Sequence, residues 1–168
     1  MPAAVVNIAE ATFMDLADLS RQYESVLPEE RYGGRLAPLS HQLGARKLGY
    51  NVTVIAPGKR AFPFHNHRAN EEVFLILEGT GELRFGEERR AIRAGDVIAC
   101  PSGGPETAHQ IINTGEQELK FFAVSTHIAP EVCQYPDSRK FAVLDGYGRS
   151  GFQHVGRAEQ CLDYWDGE

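Results

Sequence analysis

His65 and His67 stand two positions apart in the stretch from Gly58 to Gly79, and a carboxylate follows at Glu72. In an extended strand, residues i and i+2 point to the same face, so both imidazoles can address one point while Asn66 faces away. A helix would splay them. The polar turn Arg68 to Glu71 lets the chain double back, so that Glu72 approaches the same point from a neighbouring strand. Two imidazoles and a carboxylate at this spacing outline a metal site.

A second stretch, Gly95 to Asn113, carries a further histidine. Gly95 opens a turn, Val97 to Cys100 reads as a short strand, Pro101 to Pro105 is a loop, and His109 begins an apolar run through Ile111 and Ile112. Taken together, the two stretches resemble the paired motifs of the cupin superfamily. The first motif reads Gly58, His65-Asn66-His67, Glu72 and Gly79; the second reads Gly95, Pro101-Ser102-Gly103, His109 and Asn113. The resemblance covers about Gly44 to Thr126. It departs from the family pattern in two loops: Gly58 precedes His65 by one residue more than usual, and the segment between Gly103 and His109 is longer. The longer loop brings Glu106 and Thr107 toward the site mouth as candidate substrate contacts.

The resemblance implies that His65, His67, Glu72 and His109 bind one divalent transition metal ion. A mixed nitrogen and oxygen donor set suits Zn, Mn, Fe or Ni, with no thiolate to select a soft ion. Four protein ligands on an octahedral ion leave positions for water, substrate or dioxygen, so the site is open. Three readings follow. The first is a metal-dependent enzyme on a small oxygenated molecule such as a sugar, sugar phosphate or sugar acid, with isomerase or epimerase chemistry. In it, Glu106 or Tyr50 is the candidate acid or base. The second is an Fe(II) dioxygenase, and the third a binding or sensing protein without turnover.

The elements that must position these residues are short strands separated by glycine turns, which argue for an all-β barrel or sandwich. The resemblance sharpens this to a jelly-roll barrel, the double-stranded β-helix, with a short N-terminal arm. Three segments are expected within one domain: an arm over 1–43, a barrel core over 44–127 and a C-terminal extension over 128–168. In the strand from Gly44 to Ile55, the alternation of Leu48, Tyr50, Val52 and Val54 predicts that this face lines the interior, making Tyr50 a pocket wall and turning Lys47 outward. Phe62 and Phe64 are further candidate walls. Thr12-Phe13-Met14-Asp15 has the form of a capping box, and Phe13, Leu16, Leu19 and Tyr23 predict a helix near Thr12 to Val26. This arm is expected to cover a sheet edge or contact a second subunit, and the resemblance implies a homodimer.

The whole composition agrees with one domain. The chain has 168 residues, 42% hydrophobic and 24% charged, with a net charge of -6. That balance gives no reason to expect nucleic acid or an anionic membrane as partner, and the expected partner is a small molecule. Cys100, Cys133 and Cys161 are widely spaced and odd in number, which fits a reducing compartment; Cys100 reads as a small buried hydrophobe. The N-terminus lacks a basic region followed by an apolar stretch, so a cytoplasmic location is expected. His127, just past the strand Leu119 to Thr126, reads as solvent-facing or as an outer partner of the site. Arg139, Lys140 and Arg149 are loop cations able to meet a phosphate or carboxylate.

Overall fold

The computed structural model describes residues 5–22, 25–146 and 151–168. Its strands in chain order begin with β1 (Met14–Asp15), β2 (Gly34–Ala37), β3 (Leu48–Ile55) and β4 (Asn66–His67). Next come β5 (Glu72–Glu78), β6 (Thr80–Phe85), β7 (Glu88–Arg93), β8 (Val97–Cys100) and β9 (His109–Ile112). The last are β10 (Leu119–Thr126), β11 (Glu131–Tyr135), β12 (Lys140–Asp145) and β13 (Phe152–Arg157). A six-stranded sheet, ordered β1-β2-β3-β10-β5-β8, faces two smaller sheets, β13-β12-β11-β4 and β7-β6-β9. Single bridges tie the smaller sheets to their surroundings, among them His65 to His109. The all-β sandwich expected from the strand pattern is observed, with the jelly-roll form that the resemblance implies.

The core lies between the layers. Phe74, Ile76, Phe121 and Ile55 from the large sheet meet Leu83, Ile92 and Ile111 from the smaller one. Phe74 and Phe121 pack edge to face, with ring centroids 5.6 Å apart at 82°, the geometry favoured by the ring quadrupoles. Gly79 closes the first motif because the chain must turn there at φ 85°, and a Cβ would lie 2.4 Å from the Glu118 carbonyl oxygen. Asn113, the last residue of the second motif, is fully buried. Its amide nitrogen donates to the carbonyls of Ile55 (2.9 Å) and Gln117 (2.8 Å), and its oxygen accepts from Gly115 N (2.9 Å). It pins the end of β9 rather than serving chemistry.

The facing of β3 is opposite to that expected. β3 pairs residue for residue with β10, so Asn51 lies opposite Ala123 and Thr53 opposite Phe121. These, with Ile55, point into the sandwich. Tyr50 and Val52 point outward, where Tyr50 meets Phe122 with centroids 6.2 Å apart. The N-terminal arm covers this outer face through Val6, Ile8, Ala11 and Phe13. The outer face of β3 is thus the more apolar one because the arm covers it, while Asn51 and Thr53 put polar groups on the inner face, so alternation pointed the wrong way. Lys47 is exposed, just before the strand.

The arm itself is shorter in helix than its periodicity suggests. Met14 and Asp15 pair with Leu36 and Arg35 as a strand, so the helix starts at Leu16 and runs to Gln22. Asp15 Oδ1, rather than the side chain of Thr12, accepts from the first turn, at Ala17 N (2.7 Å). Extending a sheet satisfies the Met14 and Asp15 backbone, and this outcompetes an earlier cap. Tyr23 lies outside the described residues. At the other end the sandwich continues past residue 127: β11 pairs with β4 and carries β12 and β13 with it. None of the described helices is long and apolar enough to cross a membrane.

Candidate metal centre

His65, His67, Glu72 and His109 meet at one point although they arrive from both layers. His65 and His109 face each other across a two-way backbone bridge, with His65 N to His109 O at 3.2 Å and His109 N to His65 O at 2.8 Å. His67 follows on β4. Glu72 opens β5 in the opposite sheet, so the turn over 68–71 crosses between layers rather than joining adjacent strands. Glu72 Oε2 lies 2.8 Å from His109 Nε2, 3.4 Å from His67 Nε2 and 3.9 Å from His65 Nε2. All four donor atoms lie within 4.8 Å of one another.

Each imidazole is tied by its other nitrogen. His65 Nδ1 is 2.8 Å from Pro63 O, and His109 Nδ1 is 3.2 Å from Thr107 O. His67 Nδ1 is 3.3 Å from Cys133 Sγ and 3.5 Å from Glu131 Oε2. A carbonyl accepts only from N–H, so His65 and His109 are set as Nδ1–H tautomers with the Nε2 lone pair turned to Glu72. His67 Nε2 is buried and makes no hydrogen bond. An unpartnered buried nitrogen costs about 1–3 kcal/mol, and a cation at the shared point would remove that cost. The residues present therefore fit a divalent transition ion.

The electrostatics agree. Burial, reinforced by His109, pushes His65 down to about 4. Burial also opposes a charge on His67, but Cys133 and Glu72 overcome it and raise this residue to about 10. For Glu72, burial acts upward, yet the imidazoles of His109 and His67 beside it hold the carboxyl well below its usual range. Without a cation, the site keeps a carboxylate and one shared proton.

The four residues line a cavity of about 200 Å³ together with Asn51, Phe62, Phe74, Ile111 and Phe121. Thr53 Oγ1 donates to Asn51 Oδ1 at 2.8 Å, holding this amide in the cavity wall. Tyr50 is not among the lining residues. Nor is Glu106: its carboxylate is solvent-exposed and accepts from Gly104 N at 2.8 Å, which folds the loop onto itself. Thr107 Oγ1 likewise binds within the loop, to Gly104 O at 2.9 Å, while the Thr107 carbonyl orients His109. Cys100 is buried, and burial raises its thiol to about 12. Phe64 sits under Arg84, whose guanidinium carbon is 3.6 Å from the ring centroid. His127 is partly buried beside Gly49. Arg139 is exposed, and Arg149 lies outside the described residues.

Sequence reasoning missed the contribution of β11. Glu131, Cys133 and Tyr135 alternate, so they share one face. Glu131 accepts from the backbone of Arg68 (3.0 Å), Ala69 (3.1 Å) and Asn70 (2.8 Å), fixing the turn between His67 and Glu72. Cys133 meets His67, and the Tyr135 ring stacks on His65 with centroids 6.2 Å apart. Asn66, turned away from the site and fully buried, binds Gly103 O (3.0 Å) and Gln134 Oε1 (3.1 Å). The available signal was the period-two run of Glu, Cys and Tyr in 131–135; its partner strand lies more than sixty residues earlier.

Residues 51–125 match the cupin domain family. The chain is 38% identical over 61 residues to an uncharacterised protein of Methanocaldococcus jannaschii, covering 36% of this chain and 46% of that one. It is 29% identical over 127 residues to auxin-binding protein 1 of Arabidopsis thaliana, covering 67% and 62%. The chain thus spans about half to three-fifths of the length of these relatives. Among solved structures, a sugar phosphate isomerase of a cupin superfamily from Silicibacter pomeroyi superposes with a TM-score of 0.69 at 24% identity, over 79% of this chain and 82% of that one. The jelly-roll sandwich with both motifs in place thus accompanies a match of residues 51–125 to the cupin domain family, and the Silicibacter structure shares the fold across the barrel.

Proposed function

We propose that this protein is a metal-dependent enzyme acting on a small oxygenated molecule of the sugar, sugar phosphate or sugar acid type, with isomerase or epimerase chemistry. The observation that carries the reading is the convergence of three tied imidazoles and one carboxylate on the wall of an open cavity. His65, His67, Glu72 and His109 would hold the ion, which when bound supplies Lewis-acid polarisation of a carbonyl or hydroxyl. Asn51 offers an amide donor to a substrate oxygen, and Phe62, Phe74 and Phe121 exclude water around it. Tyr135, which burial raises to about 12, keeps its phenolic proton beside His65. The name of the Silicibacter structure supports the choice of substrate class.

One observation favours a second reading. Besides the four clustered residues, no titratable side chain lines the cavity among the described residues, and oxygen activation by iron needs no separate acid or base. Elemental analysis of the purified protein beside its His109→Ala variant tests the site. Near-stoichiometric metal in the parent and a sharp drop in the variant are expected. Turnover of an aldose or ketose phosphate that stops on chelation supports isomerisation, whereas iron with substrate-dependent oxygen uptake replaces it with the dioxygenase reading. No metal in either protein after reconstitution would sink both.

A further inference from the structure

Beside the metal cavity lies a second, larger cleft of about 660 Å³, and the two share Ala61, Phe62 and Pro63 as a common wall. The metal cavity alone falls below the roughly 300–1,000 Å³ typical of sites for drug-sized ligands. A molecule reaching the ion would thus extend past Phe62 into the cleft.

The charges of this cleft are unbalanced. Arg31, Arg60 and Lys140 line it, and Asp137 is its one lining carboxylate among the described residues. Asp137 is already engaged from outside, taking both Arg84 nitrogens at 2.7 and 2.9 Å. Arg60 makes no close ion pair, though its charge acts on Asp137; its Nε is buried without a hydrogen-bond partner, and its guanidinium carbon lies 6.0 Å from the Tyr32 ring centroid. Lys140 Nζ lies 5.7 Å from the Tyr135 ring centroid and likewise pairs with no carboxylate. Arg31 has a 3.5 Å contact with its exposed neighbour Glu30, and its guanidinium carbon lies 6.0 Å from the Tyr32 ring centroid. A buried guanidinium N–H left unpartnered is costly, and such donors are normally satisfied. Arg60 is held there by its backbone: its N–H donates to Arg31 O and its carbonyl accepts from Gly33 N, at 3.1 and 3.2 Å. The three cations come from three separate segments, so their convergence on one cleft is a property of the fold.

We propose that this cleft binds the phosphate group of a phosphorylated small substrate. Arg60 is the anchor, with Lys140 and Arg31 completing the cationic wall. Guanidinium forks match phosphate oxygens, and cations clustered in a cleft with low-dielectric walls suit a dianion better than a single carboxylate. The oxygenated end of the same molecule then passes Phe62 to the metal cavity; this last clause rests on the enzyme reading above, whereas the phosphate site stands without it.

Calorimetric titration with inorganic phosphate, on metal-loaded and chelator-treated protein, separates the two. Phosphate is expected to bind both forms with equal affinity, and to bind His109→Ala undiminished even as that variant loses metal. Arg60→Gln should weaken phosphate by roughly tenfold or more, as for loss of a charged hydrogen bond. Lys140→Gln should weaken it several-fold, while Arg90→Gln, on the exposed β7, should leave it unchanged. Should Arg60→Gln not fold, Lys140→Gln and Arg31→Gln carry the test. Failure of both to weaken binding, binding abolished by chelation, tighter binding of malonate than of phosphate, or no binding at all would each overturn the proposal.

Discussion

Two carboxylates flank His67, a buried Glu131 and a partly buried Glu72, and they are satisfied in opposite ways. Glu131, behind the ring, accepts hydrogen bonds from the backbone of Arg68, Ala69, Asn70 and Val132 and from the Asn70 side chain. Glu72, in front, accepts none from the backbone; its neighbours are the three imidazoles. A carboxylate engaged with backbone N–H groups is a structural pin, because removing it strands several donors at once. One whose neighbours are imidazoles alone is held for a cation, whether a proton on His67 or a metal ion. The same residue type, a few ångströms apart, thus serves the fold on one side of His67 and the site on the other.

The largest effect that tests this contrast is a crossed pair of substitutions. Glu131→Ala should cost about 3–5 kcal/mol of stability, as for breaking a buried charged network, read by urea unfolding of metal-free protein. Glu72→Ala should cost much less stability in the same assay but lower metal affinity by more than roughly 100-fold, beyond the range of an outer-shell change. If Glu72→Ala proved the more destabilising of the two in metal-free protein, the division of roles would be reversed.

Next in size is a dependence on pH. In metal-free protein His67 is raised to about 10, with Cys133 and Glu72 outweighing burial, and a metal ion must displace that proton. His65, pushed down to about 4, is already neutral and adds nothing in this window. Metal affinity should therefore rise about tenfold per pH unit from about pH 7 to 9, measured by competition with a chelator. Stability has the opposite sign. A folded-state value above the unfolded one stabilises fully below about 6.5 and loses that contribution as pH rises through about 10. Metal-free protein should thus unfold more easily across this range, and metal-loaded protein should not share the trend. A flat affinity profile would show that His67 carries no proton there.

The parts of this arrangement that were legible in the sequence are the local ones. The spacing of His65 and His67 fixes a shared face whatever the surroundings, and turn glycines such as Gly79 mark where strands must end. The facing of β3 was not legible because the arm buries an apolar outer side while the inner side carries polar Asn51 and Thr53, so Tyr50 and Asn51 exchange roles. Glu106 misled for a related reason: loop length says that a side chain is near a site mouth, not that its carboxylate is used by its own loop at Gly104 N. The face of β11 was hidden by distance along the chain, since only the pairing of Cys133 with His67 brings it to the site.

The smallest expected effect concerns that face. Cys133 Sγ, 3.3 Å from His67 Nδ1, shares this nitrogen with Glu131 Oε2 at 3.5 Å. Outer partners of this kind hold a ligand's tautomer and orientation, and losing one typically costs 10–100-fold in affinity. Serine keeps a hydrogen-bonding atom but shortens the reach, and Glu131 remains, so Cys133→Ser should sit at the low end, near tenfold, with stability changed by about 1 kcal/mol. Tyr50→Phe, on the outer face, is the matched control and should leave metal affinity unchanged. Equal effects from the two variants would mean that β11 merely covers His67. A loss confined to Cys133→Ser, with the protein still folded, assigns the strand a part in orienting the ligand.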